Sequence, residues 1–160
     1  MKKLLAVLGL VGFTALAGNP GDRLNKNGVA LCEESSKAND ADCFDPVSYF
    51  KSPKPVKGNS SIRAQVGSST YVFSSEDNKK EFLAAPTKYI PQFEGWCAYG
   101  SANGKKISVN PLQYKVTDGK LYLFYKDFFN DTRSKWVKDE PNLLSKANQN
   151  WPKVRLQDEE

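Results

Sequence analysis

The residues of this chain best suited to soft-metal or thiol chemistry are three cysteines, Cys32, Cys43 and Cys97, in a sequence with no histidine and one methionine, Met1. A closed zinc site takes four thiolate, imidazole or carboxylate donors, and even low-coordinate copper(I) takes more than one soft donor. A complete soft-metal cage within one subunit is therefore not expected. Cys32 and Cys43 flank a polar run, Glu33 to Asp42, which has little to bury and little intrinsic order. A bridge across it would close a loop worth roughly 3 kcal/mol in chain entropy. Cys32–Cys43 is thus the expected disulfide, while spacing alone leaves the pairing of Cys43 with Cys97 open.

Under the first pairing Cys97 is a free thiol set between Trp96 and Tyr99. It reads either as a small buried hydrophobe or as a metal ligand or redox centre. Lys88, Lys105 and Lys106 are near in sequence and would favour a thiolate if they reached the sulfur. Without histidine no Cys-His pair exists, which removes papain-like nucleophilic catalysis. Asp45, ahead of Pro46, reads as a cap or Asx-turn residue. If it turned towards the Cys97 loop instead, a carboxylate and a thiol would share a pocket. The candidate ligand-binding residues are accordingly Cys97, Asp45, Trp96 and Tyr99, with Cys97 and Asp45 as the metal donors. Gly95 and Gly100 would let backbone approach a ligand closely.

The remaining sequence must carry and place these groups. Lys2-Lys3, the apolar run Leu4 to Leu16 and Ala15-Leu16-Ala17 match the charged, apolar and small-residue parts of a secretory signal. Cleavage after Ala17 gives a periplasmic or secreted protein; the alternative is an uncleaved anchor, for which the run is short. The formal charge of +5 drops to +3 once Lys2 and Lys3 leave, and the basic residues are dispersed. Nothing in that pattern points to nucleic acid, and no stable membrane span is expected after cleavage. About 140 residues remain, enough for one domain.

Asp45-Pro46 opens a short segment through Phe50. Ile62–Val66 and Thr70–Phe73 alternate around Gly67-Ser68-Ser69 as a hairpin. Ser75 caps a helix from Glu76 to Ala84 with Phe82 and Leu83 on its buried face. Pro86 to Tyr89 is a helical turn. Tyr114–Thr117 and Lys120–Tyr125 form a second hairpin through Asp118-Gly119. Asp127 to Lys138 places Phe128, Phe129, Trp136 and Val137 at helical spacing, and Pro141 begins a last helix over Asn142–Asn148. The class is α+β, a single domain in which a small antiparallel sheet from two hairpins carries packed helices. No internal repeat is visible.

Asp45-Pro46-Val47-Ser48-Tyr49-Phe50, Lys54-Pro55-Val56-Lys57-Gly58, Thr70-Tyr71-Val72-Phe73-Ser74-Ser75, Pro91-Gln92-Phe93 and Gly95-Trp96-Cys97-Ala98-Tyr99-Gly100 occur in one order. With Asp118-Gly119-Lys120-Leu121-Tyr122-Leu123, Trp136 and Asn150-Trp151-Pro152, this order resembles exported members of the YHS domain family and its TRASH-like relatives. That family's motif is an aromatic, a cysteine, a serine, two variable residues, a second cysteine and a phenylalanine four positions on. Here Ser74 and Asn78 stand at the two cysteine positions, and the Cys32–Cys43 insert is a further departure. The chain thus divides into a signal peptide at 1–17, an N-terminal segment with a disulfide-pinned insert at 18–43 and a polar tail at 155–160, all read from the residues, around the YHS-like domain at 44–154 that the resemblance implies. The resemblance also implies a binding or accessory module holding a metal ion, a transition metal complex or a small ligand near Cys97. The competing functions are a thiol-dependent redox protein or enzyme using Cys97, and a purely structural or interaction role.

Overall fold

The computed structural model describes residues 29–33 and 40–158. The signal peptide expected at 1–17 and the centre of the polar insert, 34–39, lie outside the described residues. Cys32 and Cys43 are disulfide-bonded and Cys97 is free, which settles the pairing.

Two hairpins organise the chain. The first joins β1, Asn59–Val66, to β2, Ser69–Phe73, and the second joins β3, Asn110–Thr117, to β4, Lys120–Phe124. Each forms its own two-stranded antiparallel sheet. The turn of the second has Asp118 and Gly119 at φ 51° and 70°, the left-handed pair expected of Asp-Gly. Both long strands bulge near their start, where the Asn59 and Asn110 side-chain carbonyls each accept the N–H two residues on, at 2.9 Å.

Short helices flank these hairpins: α1 Ser48–Lys51, α2 Glu76–Ala84, α3 Pro86–Tyr89, α4 Ala98–Ala102, α5 Thr132–Trp136 and α6 Glu140–Val154. Ser75 caps α2 by accepting the Asn78 N–H, as its type and position imply. Phe82 is buried, but Leu83 is half exposed, because only one face of this nine-residue helix meets the hairpin. The helix expected over Asp127–Lys138 is shortened to α5, since Asp131 caps at its own position by accepting the Ser134 N–H at 2.9 Å. Phe128 and Phe129 therefore lie outside it, 93% exposed, and Val137 is half exposed. The last helix is longer than the Asn142–Asn148 expected, running on through Pro152.

β4 divides the interior. Leu121 and Leu123 pack with Phe44, Val47, Tyr49, Tyr71, Phe73, Phe82 and Tyr89, whereas Tyr122 and Phe124 pack with Phe93, Ala98, Ala102, Trp136 and Ala147. The alternation has period two, so this short strand serves a core on each face. Residues 155–157 are tied back onto the body: Arg155 pairs with Glu94 at 2.8 Å, and Lys106 Nζ donates to the Gln157 carbonyl at 3.0 Å.

Candidate functional site

Asp45 is fully buried and its carboxylate is surrounded by donors. Oδ1 accepts the Val47 N–H at 2.8 Å, an Asx turn made possible by Pro46 between them. Oδ2 accepts the Ser74 N–H at 2.9 Å, the Ser74 hydroxyl at 2.6 Å and the Asn78 side-chain amide at 2.7 Å. Asn78 also donates to the Ser74 hydroxyl oxygen at 3.2 Å. The helix α1 begins two residues beyond Pro46, so Asp45 fixes the approach to that helix without capping it. A carboxylate has about four acceptor positions, and four donors occupy them here. Nearby Tyr49, buried and donating to the Pro111 carbonyl at 3.1 Å, has its hydroxyl pKa raised well above the ordinary tyrosine value. Burial is the main cause, followed by Tyr114 and the Asp45 charge.

Cys97 is equally buried. Its sulfur accepts the N–H of Gly100 and of Tyr125, each at 3.4 Å, and meets the Thr132 hydroxyl at the same distance. Thr132 donates its own proton to the Tyr125 carbonyl at 2.7 Å, so the thiol is the donor in the Cys97–Thr132 contact. Gly100 fits closely there: a Cβ would meet the Lys105 carbonyl oxygen at 3.0 Å and Ile107 at 3.1 Å, so a larger residue would need its neighbours to move. The chain enters this site through an uncommon turn in which Phe93, Glu94 and Gly95 all have positive φ.

Asp45 and Cys97 share no hydrogen-bond partner among the described residues. They are instead counterparts in a structural repeat. Every boundary of the second hairpin lies 51 residues after its counterpart in the first. The Asp45 N–H donates to the Val56 carbonyl and the Cys97 N–H to the Ile107 carbonyl, acceptors again 51 apart. The side chains accept N–H groups from Ser74 and Tyr125, which follow β2 and β4 at the same spacing. Ser48 and Ser101 each donate a hydroxyl back to the Asp45 or Cys97 carbonyl. Identity at this spacing is confined to scattered positions, such as Asn59 and Asn110, Tyr71 and Tyr122, and Phe73 and Phe124, so the hydrogen bonding displays the repeat more plainly than the sequence does.

Of the other candidate residues, Trp96 is buried, with Lys106 Nζ 4.7 Å from its ring centre and no acceptor for its indole N–H among the described residues. Tyr99 is half-buried on α4, its ring 5.9 Å from Lys135 Nζ. Lys88 lies over the Tyr89 ring and Lys106 bonds the Arg155 and Gln157 carbonyls, so these two cations are engaged away from the thiol. No group of three or more His, Cys, Asp or Glu side chains suited to a metal ion occurs among the described residues.

An open groove of about 310 Å³ runs along the start of β3, between Ser108, Val109, Asn110, Pro111 and Leu112 on one side and Tyr125 and Lys126 on the other, with Glu33 at its edge. Tyr125 is the link to the thiol, since its N–H bonds the Cys97 sulfur while the residue itself lines the groove. The sequence offered no signal for this groove, because its walls come from segments that are ordinary strand and loop residues. Comparison of the chain with family models, curated proteins and solved structures gives no match.

Proposed function

We propose that the protein is an exported binding or accessory module that takes a small ligand with both polar and apolar surface in the groove beside β3, with Cys97 behind its wall. The carrying observation is the contrast between that open groove and the two closed chemical centres. Asp45 has its acceptor positions filled, and Cys97 is buried with its sulfur already engaged by Gly100, Tyr125 and Thr132. A metal at Asp45 would have to displace hydrogen-bond donors that point at the carboxylate. A substrate for Cys97 would require the site to open. The groove is lined about equally by polar groups, Ser108, Asn110, Lys126 and Glu33, and by apolar or aromatic ones, Val109, Pro111, Leu112 and Tyr125, so a ligand would find both kinds of contact there. Export is supported by the leader-like N-terminus and by the Cys32–Cys43 disulfide, a bond favoured in oxidising compartments. Membership of the YHS family remains part of this proposal and rests on the residue order given above.

Thermal-shift screening against a small-molecule panel and against copper(I), zinc and iron tests the reading. A ligand that stabilises the parent and Cys97→Ser but not Leu112→Arg, in which the groove is blocked, is the expected result. A metal-dependent shift abolished in Cys97→Ser would assign function to the thiol and overturn the groove reading. Alkylation of Cys97 in the native protein as fast as in the denatured one would favour the redox or enzymatic alternative.

A further inference from the structure

The second half departs from the repeat immediately after its hairpin. In the first half Glu76 follows Ser75 straight into α2, whereas the counterpart segment Asp127–Asn130 folds into a tight turn before α5. Asp127 Oδ1 accepts the Phe129 N–H at 2.8 Å and the Asn130 N–H at 2.6 Å, and the Asp127 N–H donates to the Asn130 carbonyl at 3.0 Å. The Tyr125 hydroxyl holds the other oxygen at 2.8 Å, and Lys126 pairs with Asp131 across the base at 3.0 Å. This turn is held by those bonds and presents Phe128 and Phe129 to solvent, edge to face with ring centres 5.0 Å apart.

We propose that this tip inserts into the interfacial region of an anionic lipid surface. Exposed, adjacent phenylalanines on a turn that is held by its own hydrogen bonds are an apolar projection rather than a displaced piece of core. Exposed Lys126, Arg133, Lys135 and Lys138 stand near it in sequence against Asp127, Asp131 and Asp139, leaving a single net positive charge on the side that would face anionic headgroups. A protein partner fits less well. Two phenylalanine rings offer roughly 300–500 Å², short of the ~800 Å² per partner of a standard protein interface. A bilayer surrounds a convex tip without needing a matching surface. The tip shares Tyr125 and Lys126 with the β3 groove, but Phe128 and Phe129 lie outside the groove's lining, so a change at the two rings tests the tip alone.

The test is sedimentation of the exported form, residues 18–160 if cleavage follows Ala17, with vesicles of phosphatidylcholine and phosphatidylglycerol at about 3:1 in low salt. That form contains every described residue and lacks the apolar leader, which would bind lipid by itself. The parent is expected to bind these vesicles and to bind pure phosphatidylcholine about tenfold more weakly. The Phe128→Ser, Phe129→Ser double variant is expected to lose about tenfold in binding with an unchanged thermal midpoint, since both rings are exposed. A Phe129→Trp variant should show a blue-shifted emission on vesicle addition. Failure of the parent to bind the anionic vesicles, or equal binding by the double variant, overturns the proposal. Concentration-dependent self-association without lipid, abolished in the double variant, would assign the tip to a second copy and overturn it equally.

Discussion

The Asp45 half and the Cys97 half of this molecule share one frame and fill it with different chemistry. In each, a residue ahead of a short helix donates its N–H to the strand-side carbonyl of Val56 or Ile107, and its side chain accepts the N–H just beyond the hairpin. The first half places a carboxylate there and recruits Ser74 and Asn78 to it. The second places a neutral-sized sulfur there and adds only Gly100 and Thr132. The frame supplies an acceptor site and leaves the acceptor open to substitution. The price of a buried charge is three further donors, two of them the side chains of Ser74 and Asn78.

Removing the acceptors should separate the halves most clearly. Asp45→Ala leaves four donors without their buried partner and is expected to lower stability by about 3–5 kcal/mol in urea unfolding; a loss under about 1 kcal/mol would show that the carboxylate does not hold the first half together. Cys97→Ala removes a weaker acceptor and a small volume, and a loss of roughly 1–2 kcal/mol is expected from the same measurement. A cost equal to that of Asp45→Ala would erase the distinction between charged and neutral centres. Asn78→Ala should lose about 1 kcal/mol alone and almost nothing further in the Asp45→Ala background. Additive losses in that double-mutant cycle would mean that the amide acts elsewhere.

The smallest effect is expected from acid at the exposed counterpart turn. Asp127 has its pKa lowered from the ordinary 3.8, first by the Tyr125 hydroxyl and then, against some burial, by the Phe129 and Asn130 N–H groups and Lys135. A carboxyl depressed in the folded state contributes fully above its unfolded pKa and loses that contribution as pH falls through the folded value. Amide exchange at Phe129 and Asn130 should therefore accelerate only below about pH 3.8. Glu140 has the same sign: burial pushes it up, but hydrogen bonds from Lys115 and Thr117 and the Lys115 charge bring it below the ordinary 4.5. Exchange that rises already at pH 6 would place the control of the tip in some other group.

Much of the frame was legible because its signals are local. Asp118-Gly119 needs positive φ, Ser75 is a cap by type and position, and alternating apolar residues specify both hairpins. The disulfide followed from the compartment and from the loop it closes. The candidate site was legible only in part: Cys97, Trp96 and Tyr99 are neighbours by sequence, but Asp45 belongs to the other half. Apolar spacing placed Phe128 and Phe129 on a buried helix face, whereas Asp127 and Asp131 delay that helix and turn both rings outward.

The two Asx turns mark the division between sequence and tertiary structure. Asp45-Pro46-Val47 and Asp127-Phe128-Phe129 each contain the aspartate that accepts the N–H two residues on, a contact within reach of the local chain. Their surroundings are opposite, one closed over by Ser74 and Asn78 and the other open to solvent. Sequence alone determined the two hairpins, the Asp118-Gly119 turn and the Ser75 cap, because each depends on a few consecutive residues, whereas the Asp127 turn and the Asp131 cap were read as part of one longer helix. Tertiary structure decided which turn is buried, which faces of Leu121-Tyr122-Leu123-Phe124 meet which core, and that Asp45 and Cys97 are counterparts. Those outcomes depend on distant segments packing together, and local residue preferences do not specify which segments those are.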